Sequence, residues 1–185
     1  MAKQFPDIDD RIADFISRQH IFFSATAAPT GRVNVSPRPA TAFKVLSPNR
    51  AVYLDQTGSS NEAAAHLKLS DRITIMFCAV EGPPQILRLY GTGRIIRRDS
   101  DEYAALLADT FGGEDLPGAR QMVMIDVDLV QTSCGFGVPL FDFKGERDSL
   151  NRWASAKTPE ELEAYQREKN VVSLDGFPTG LFEEA

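Results

Sequence analysis

The chain has 185 residues, 43% of them hydrophobic and 25% charged, and a formal net charge of −6 at pH 7. That length suits one domain with a sizeable core, and the acidic balance, with no basic stripe to offset it, argues against a nucleic-acid binder. No apolar run approaches the ~20 residues of a membrane span, no secretory core follows the first residues, and the two cysteines, Cys78 and Cys134, match no metal spacing; a cytoplasmic protein without membrane, nucleic-acid or metal partners is expected.

Ile8, Ile12, Phe15 and Ile16 recur at helical spacing and predict an amphipathic helix between Asp7 and Gln19, with Pro6 and Asp7 as start signals. Residues 20–27 read as a buried strand. The turn Pro29-Thr30-Gly31-Arg32 leads to an alternating strand over 33–36, and 43–46 forms a third. Ser47-Pro48-Asn49-Arg50 turns the chain into strand 51–55, and a helix follows over 61–69. Two long β-rich runs, 72–80 and 86–96, are separated by Glu81-Gly82-Pro83-Pro84; Gly91 and Gly93 mark a bend or bulge in the second. Asp99 or Ser100 can cap a helix through Ala108, residues 111–119 are a loop, and 122–130 alternate as the last main strand. Six or seven strands in succession, with only two short internal helices, favour an antiparallel sheet closed into a small barrel over a parallel sheet. From Lys144 the composition shifts: 147–157 and 158–169 read as helices, Pro159 fitting a first turn, and 171–181 read as extended. The expected division is a barrel domain over 1–143 and a tail over 144–185 that packs on the barrel or on a second subunit.

The polar loop between strand 51–55 and the following helix carries the strongest chemical signal. Thr57, Ser59, Ser60 and Asn61 set three hydroxyls and an amide beside a helix start, and Gly58 allows a tight turn. A helix start has unpaired N–H groups and partial positive charge, which suit a phosphate. These residue types are also ordinary helix caps, and a cap explains one of them more easily than four. Arg38 lies between Pro37 and Pro39, which places it at a sheet edge or leaving the sheet; it is either a fork aimed at phosphate oxygens or a surface arginine. Asp55 and Gln56 end a strand beside the loop, either to bond a ligand's polar edge or as a solvated strand end.

The order of these elements resembles the pyridoxamine 5′-phosphate oxidase-like, FMN-binding split-barrel superfamily. The residues that carry the resemblance are Val33-Asn34-Val35-Ser36-Pro37-Arg38, then Val52-Tyr53-Leu54-Asp55 with Thr57-Gly58-Ser59-Ser60-Asn61-Glu62, then 86–93; segments 131–139 and 170–179 resemble an oxidase-related subgroup. The resemblance implies a mainly β (α+β) fold: an antiparallel six- to seven-stranded split β-barrel with short flanking helices and a helical C-terminal extension. It implies a homodimer with FMN in a cleft between subunits. Phosphate contacts would come from Arg38 and from Thr57, Gly58, Ser59, Ser60 and Asn61, with Ser36 close by, while Asp55 and Gln56 would meet the flavin's pyrimidine edge. Cys134, Gly135 and Phe136 would bring small residues and an aromatic wall to the ring from the partner subunit. Where the true oxidase has arginine and lysine, this chain reads Ser60-Asn61-Glu62-Ala63, so pyridoxamine phosphate oxidation is weakened and backbone N–H groups carry more of the phosphate.

The function implied is an FMN-dependent oxidoreductase acting on a small molecule, since the flavin supplies the hydride chemistry and the chain shows no Ser/His/Asp set. The alternative is a flavin-binding sensor or carrier without turnover. Proteins of this superfamily also bind haem or a deazaflavin, although only two histidines, His20 and His66, are present.

Overall fold

The computed structural model describes residues 2–183. In chain order the elements are β1 (Lys3–Phe5), α1 (Asp10–Ser17), β2 (Ile21–Thr26), β3 (Asn34–Pro39), a 3-10 turn (Ala40–Ala42), β4 (Phe43–Ser47), β5 (Arg50–Gln56), α2 (Glu62–Leu69), β6 (Arg72–Cys78), β7 (Gln85–Arg97), α3 (Asp101–Thr110), β8 (Ala119–Cys134), α4 (Ser149–Ser155) and α5 (Pro159–Lys169). Every strand pairing is antiparallel. The sheet runs β3-β2-β6-β7-β8-β5-β4, and β1 adds an eighth strand against the far end of β8.

This order forces the sheet to curl. Strands β3 and β4 stand at opposite ends of the seven-strand path, yet only Ala40, Thr41 and Ala42 separate them in sequence. Four Cα steps span at most about 15 Å, whereas seven flat strands would set their outer members roughly 29 Å apart. The edges therefore approach each other, and the sheet becomes a split barrel of mainly β character. Pro37 and Pro39 sit within β3 opposite Phe23 and Ile21, on the outermost strand, where a missing ladder donor costs nothing on the open side.

The apolar pattern follows from the curl. Phe22, Phe43, Tyr53, Phe77, Leu87, Leu89, Val123 and Ile125 fill one cluster with Ile12, Phe15 and Ile16 of α1. Phe22 makes aromatic contacts with Phe43, Tyr53 and Phe77 at centroid separations of 5.2, 5.4 and 5.8 Å. On the other face Val52, Leu54, Met122 and Met124 pack with Ile96 and with Tyr103 of α3. Strand β8 is thus buried on both faces over 121–125, and the alternation expected for 122–130 begins only beyond them. It is also longer than expected at both ends, because its first half pairs with β5 and its last with β1.

Helix starts follow local chemistry. Asp9 rather than Asp7 caps α1, its side chain accepting from the Ile12 N–H at 2.7 Å. Ser100 caps α3, and Thr158 with Glu161 forms a full capping box on α5 beside Pro159. Gly91 stands where β7 shifts register against β8; a Cβ there would meet the Asp126 carbonyl oxygen at 2.0 Å and Val127 Cα at 3.0 Å. Gly91→Ala is expected to destabilise the fold by on the order of 3 kcal/mol, read as a lowered urea midpoint; an unchanged midpoint would mean that the bulge relaxes freely.

Candidate functional site

The C-terminal end of β5 brings Asp55 to 1% side-chain exposure, where a lone carboxylate would not stay ionised. Two guanidiniums meet it. Arg38 of β3 donates to its Oδ1, and Arg120 of β8 donates to its Oδ2 at 3.0 Å, as does Gln121 at 2.8 Å. Arg38 also donates through Nε to Ser24 Oγ at 3.1 Å and lies 4.7 Å over the Tyr53 ring. Burial pushes the Asp55 carboxyl up, but Arg120 and then Arg38, by charge and hydrogen bonding, outweigh it and hold it down to about 2. Desolvation opposes the charge on Arg38, and Asp55 more than compensates, raising its pKa. Two positive charges share one negative charge, so the cluster retains a surplus of one positive charge.

That cluster adjoins the polar loop. Arg120 Nη1 donates to the Ser60 carbonyl at 2.8 Å, and Gln121 Nε2 donates to Asn61 Oδ1 at 2.9 Å. Asn61 is the first residue of the α2 start, yet its side chain makes no capping bond, because Gln121 has taken its oxygen. Its Nδ2 is buried without a partner. Among the described residues, the backbone N–H groups of Gly58, Ser59, Ser60 and Asn61 have no protein acceptor, while Thr57 N–H bonds the Gly118 carbonyl at 2.7 Å. Ser59 and Ser60 are exposed. Gly58 has open space where a Cβ would project, and its φ is not positive. The glycine there leaves a surface clear and is not demanded by the turn's backbone conformation.

A cleft of about 1030 Å³ opens beside the same strand end. Its walls include Phe23, Pro37, Arg38 and Gln56 on the barrel side and Phe141 and Leu150 from the chain beyond β8. Gln56 joins cleft and loop, lining the first and leading into the second. Along the rim, His20 stacks on Phe143 with ring centroids 3.8 Å apart and planes 4° from parallel. Glu81 accepts from the Phe143 N–H at 2.9 Å and faces His20 Nε2 at 3.2 Å; these contacts, Phe143 first, hold its carboxyl below the usual range.

The family model described as Pyridoxamine 5'-phosphate oxidase matches residues 8–134. The chain belongs to the pyridoxamine 5'-phosphate oxidase family. A curated relative, the Pyridoxamine 5'-phosphate oxidase family protein ustO of Aspergillus flavus, is 38% identical over 190 residues, covering 94% of this chain and 76% of its own length. Among solved structures, HupZ of Group A Streptococcus matches with a TM-score of 0.53 at 20% identity, over 66% of this chain and 91% of its own. A Lactobacillus delbrueckii protein taken to be a pyridoxamine 5'-phosphate oxidase gives a TM-score of 0.53 at 19% identity, over 68% and 94%. At such identity these structures speak to the fold alone.

Within this family member, the residues singled out from sequence fall into three groups. Arg38, Asp55 and Gln56 converge at the strand end, with Arg38 committed to Asp55 and not free at the surface. Ser36 shares the β3 face of Arg38 and bonds Asn34 Oδ1 at 3.2 Å. In the loop, Thr57 and Asn61 are covered, the Thr57 hydroxyl accepting from Gln166 at 2.7 Å, whereas Ser59 and Ser60 remain open. Glu62, close to the loop, turns its carboxylate to the Leu174 N–H at 3.0 Å. Cys134, Gly135 and Phe136 lie outside this cleft. Gly135 is small because a Cβ would meet Gln85 N of β7 at 2.6 Å, and Phe136 is 84% exposed. His66 is buried against Thr26, with Nδ1 3.2 Å from its Oγ1.

Arg120, Gln121, Gln166 and Asn170 escaped the sequence reading. The one local signal for the first two is a charged and an amide residue opening an apolar strand, where both faces are later buried. Folding lowers the Asp55 pKa from an ordinary 3.8, so stability from this group is present above about pH 4 and is lost as pH falls toward about 2. Asp55→Asn is expected to cost on the order of 3–5 kcal/mol at neutral pH and to flatten the acid limb, checked by urea midpoints of both proteins across that window. Parallel pH profiles would show that Asp55 does not supply the acid sensitivity.

Proposed function

We propose that this family member binds FMN as a homodimer and acts as a flavin-dependent oxidoreductase on a small-molecule substrate. One observation carries the reading: four consecutive backbone N–H groups, Gly58 to Asn61, have no acceptor among the described residues and stand beside a cluster with one surplus positive charge. Such a row of donors at the start of an eight-residue helix suits the flavin's phosphate. The unpartnered Asn61 Nδ2 and the exposed Ser59 and Ser60 hydroxyls extend the donor set. The cleft, apolar along Phe23, Pro37 and Phe141, suits a planar ring. When bound, FMN supplies hydride and electron transfer.

The chain's own residues then bind and orient. Gly58 to Asn61 hold the phosphate, Gln56, whose Nε2 already donates to the Pro117 carbonyl and to Asn151 Oδ1, turns its amide oxygen to the ligand where loop and cleft meet, and Arg38 sets positive charge at the cleft wall without leaving Asp55. A second copy of the chain is expected against the start of β3, where Val33 just before the strand and Val35 within it are 69% and 58% exposed, and against Phe136. No helix among the described residues is long and apolar enough to cross a membrane.

Flavin absorption bands in the purified protein, or their appearance in the bound fraction after FMN is added, test the cofactor. A colourless protein that ignores FMN overturns the proposal. Bleaching by NADH or NADPH and reoxidation by an acceptor establish turnover, and flavin that no reductant bleaches leaves a carrier or sensor instead. Gly58→Val, which fills the open space over the loop, is expected to weaken FMN binding about tenfold or more at unchanged thermal stability, since a Cβ at this half-buried position meets nothing among the described residues within 4 Å; unchanged affinity in a fluorescence titration would move the phosphate elsewhere.

A further inference from the structure

The tail reaches the polar loop at its entry through Gln166 and at its centre through Asn170. Asn170, at the end of α5, is 0% exposed and uses every polar group it has. Its Nδ2 donates to the Gly58 carbonyl at 3.0 Å, and its Oδ1 accepts from Arg120 Nη1 at 2.8 Å. Its backbone N–H bonds the Gln166 carbonyl at 2.7 Å, and its carbonyl accepts from Thr179 Oγ1 at 2.7 Å. The same Arg120 Nη1 holds the Ser60 carbonyl. Asn170 and Arg120 thus form a bonded pair that grips two alternate carbonyls of the loop.

Peptide planarity gives that grip a consequence. No peptide bond among the described residues is cis, and in a trans unit the C=O of one residue and the N–H of the next point in opposite directions. Drawing the Gly58 and Ser60 carbonyls toward the protein therefore turns the N–H groups of Ser59 and Asn61 the other way, where they have no acceptor. Left to itself, a loop of Gly, Ser and Asn would sample many peptide orientations, some presenting carbonyl oxygens to an incoming anion.

We infer that Asn170 is a positioning residue for anion binding: through Arg120 and the Gly58 and Ser60 carbonyls, the C-terminal tail sets the loop amides in phosphate-accepting orientation. The inference rests on the FMN reading above and assigns the tail a part in ligand selection. Gln166 supports the same arrangement from α5 by donating to the Thr57 hydroxyl at 2.7 Å at the loop's entry.

The discriminating readout is the ratio of FMN to riboflavin affinity, because riboflavin carries the same ring without the phosphate. Full-length wild type, Asn170→Ala and Gln166→Ala are titrated with both flavins, with inorganic phosphate as competitor, and each protein's melting temperature is recorded without ligand. The wild type is expected to prefer FMN. Asn170→Ala is expected to lose about tenfold in FMN affinity, the scale of a lost hydrogen bond to a charged group, with riboflavin affinity unchanged and phosphate competition weakened. Gln166→Ala should move the ratio the same way by less, and it decides the matter if Asn170→Ala does not fold. Equal loss for both flavins, or no loss for either, makes Asn170 merely structural and overturns the inference while the FMN reading stands. A wild type that does not distinguish the two flavins removes the phosphate seat, and the inference falls with it.

Discussion

Asp55 is a buried anion held between two cations that arrive from different strands, and most of the functional architecture is arranged around that fact. A carboxylate with 1% exposure is tolerable only when its charge and lone pairs are met together. Arg38, Arg120 and Gln121 meet them, which ties the edge strand β3 and the long strand β8 to the end of β5. Gln121 and Arg120 then extend to Asn61 and Ser60, so the charge cluster also dictates how the loop lies. Because each partner completes another's requirements, the strand end, the loop and the tail form one polar unit, with Asn61 Nδ2 the buried group in the loop that no partner among the described residues meets.

The curl of the sheet makes that meeting possible. In an open sheet β3 and β5 would be separated by four intervening strands, β2, β6, β7 and β8. The three-residue link from β3 to β4 brings the two edges round, so that Arg38 reaches across the split to Asp55. The aromatic cluster of Phe22, Phe43, Tyr53 and Phe77 fills the interior beneath, and Tyr53 supports the Arg38 guanidinium from below. Packing and electrostatics meet at one residue there: the same ring that closes the core is the face on which the cleft-lining Arg38 lies.

On the function proposed above, the chemistry left open at the surface serves a ligand with an anionic group and a planar ring. The loop offers donors and no strong base, and the adjacent cleft offers apolar walls and an aromatic rim. Such a site suits a cofactor that carries its own reactivity, for which the protein's contribution is orientation and field. The diversion of Asn61 from helix capping to Gln121 is the clearest local departure from ordinary structure. Among the described residues, α1, α3 and α5 each spend a side chain on their own starts, while α2, like the short α4, does not.

Sequence alone determined the elements and much of their order. Helical spacing of Ile12, Phe15 and Ile16, the prolines flanking Arg38, the glycine at the β7 bulge and the Thr158 capping motif are each decided within a few residues by sterics and local hydrogen bonding. The polar loop was visible for the same reason, as a cluster of small polar residues ahead of a helix. Tertiary structure alone decided what those groups face. Arg120 lies 65 positions from Asp55, and Asn170 lies 112 from Gly58; no local periodicity encodes either pairing. Whether an arginine is a free fork or half of an ion pair, and whether an asparagine caps a helix or surrenders its oxygen to a glutamine, depends on which strands the curled sheet brings together. That closure is settled by burial of the whole core, a property of the complete chain.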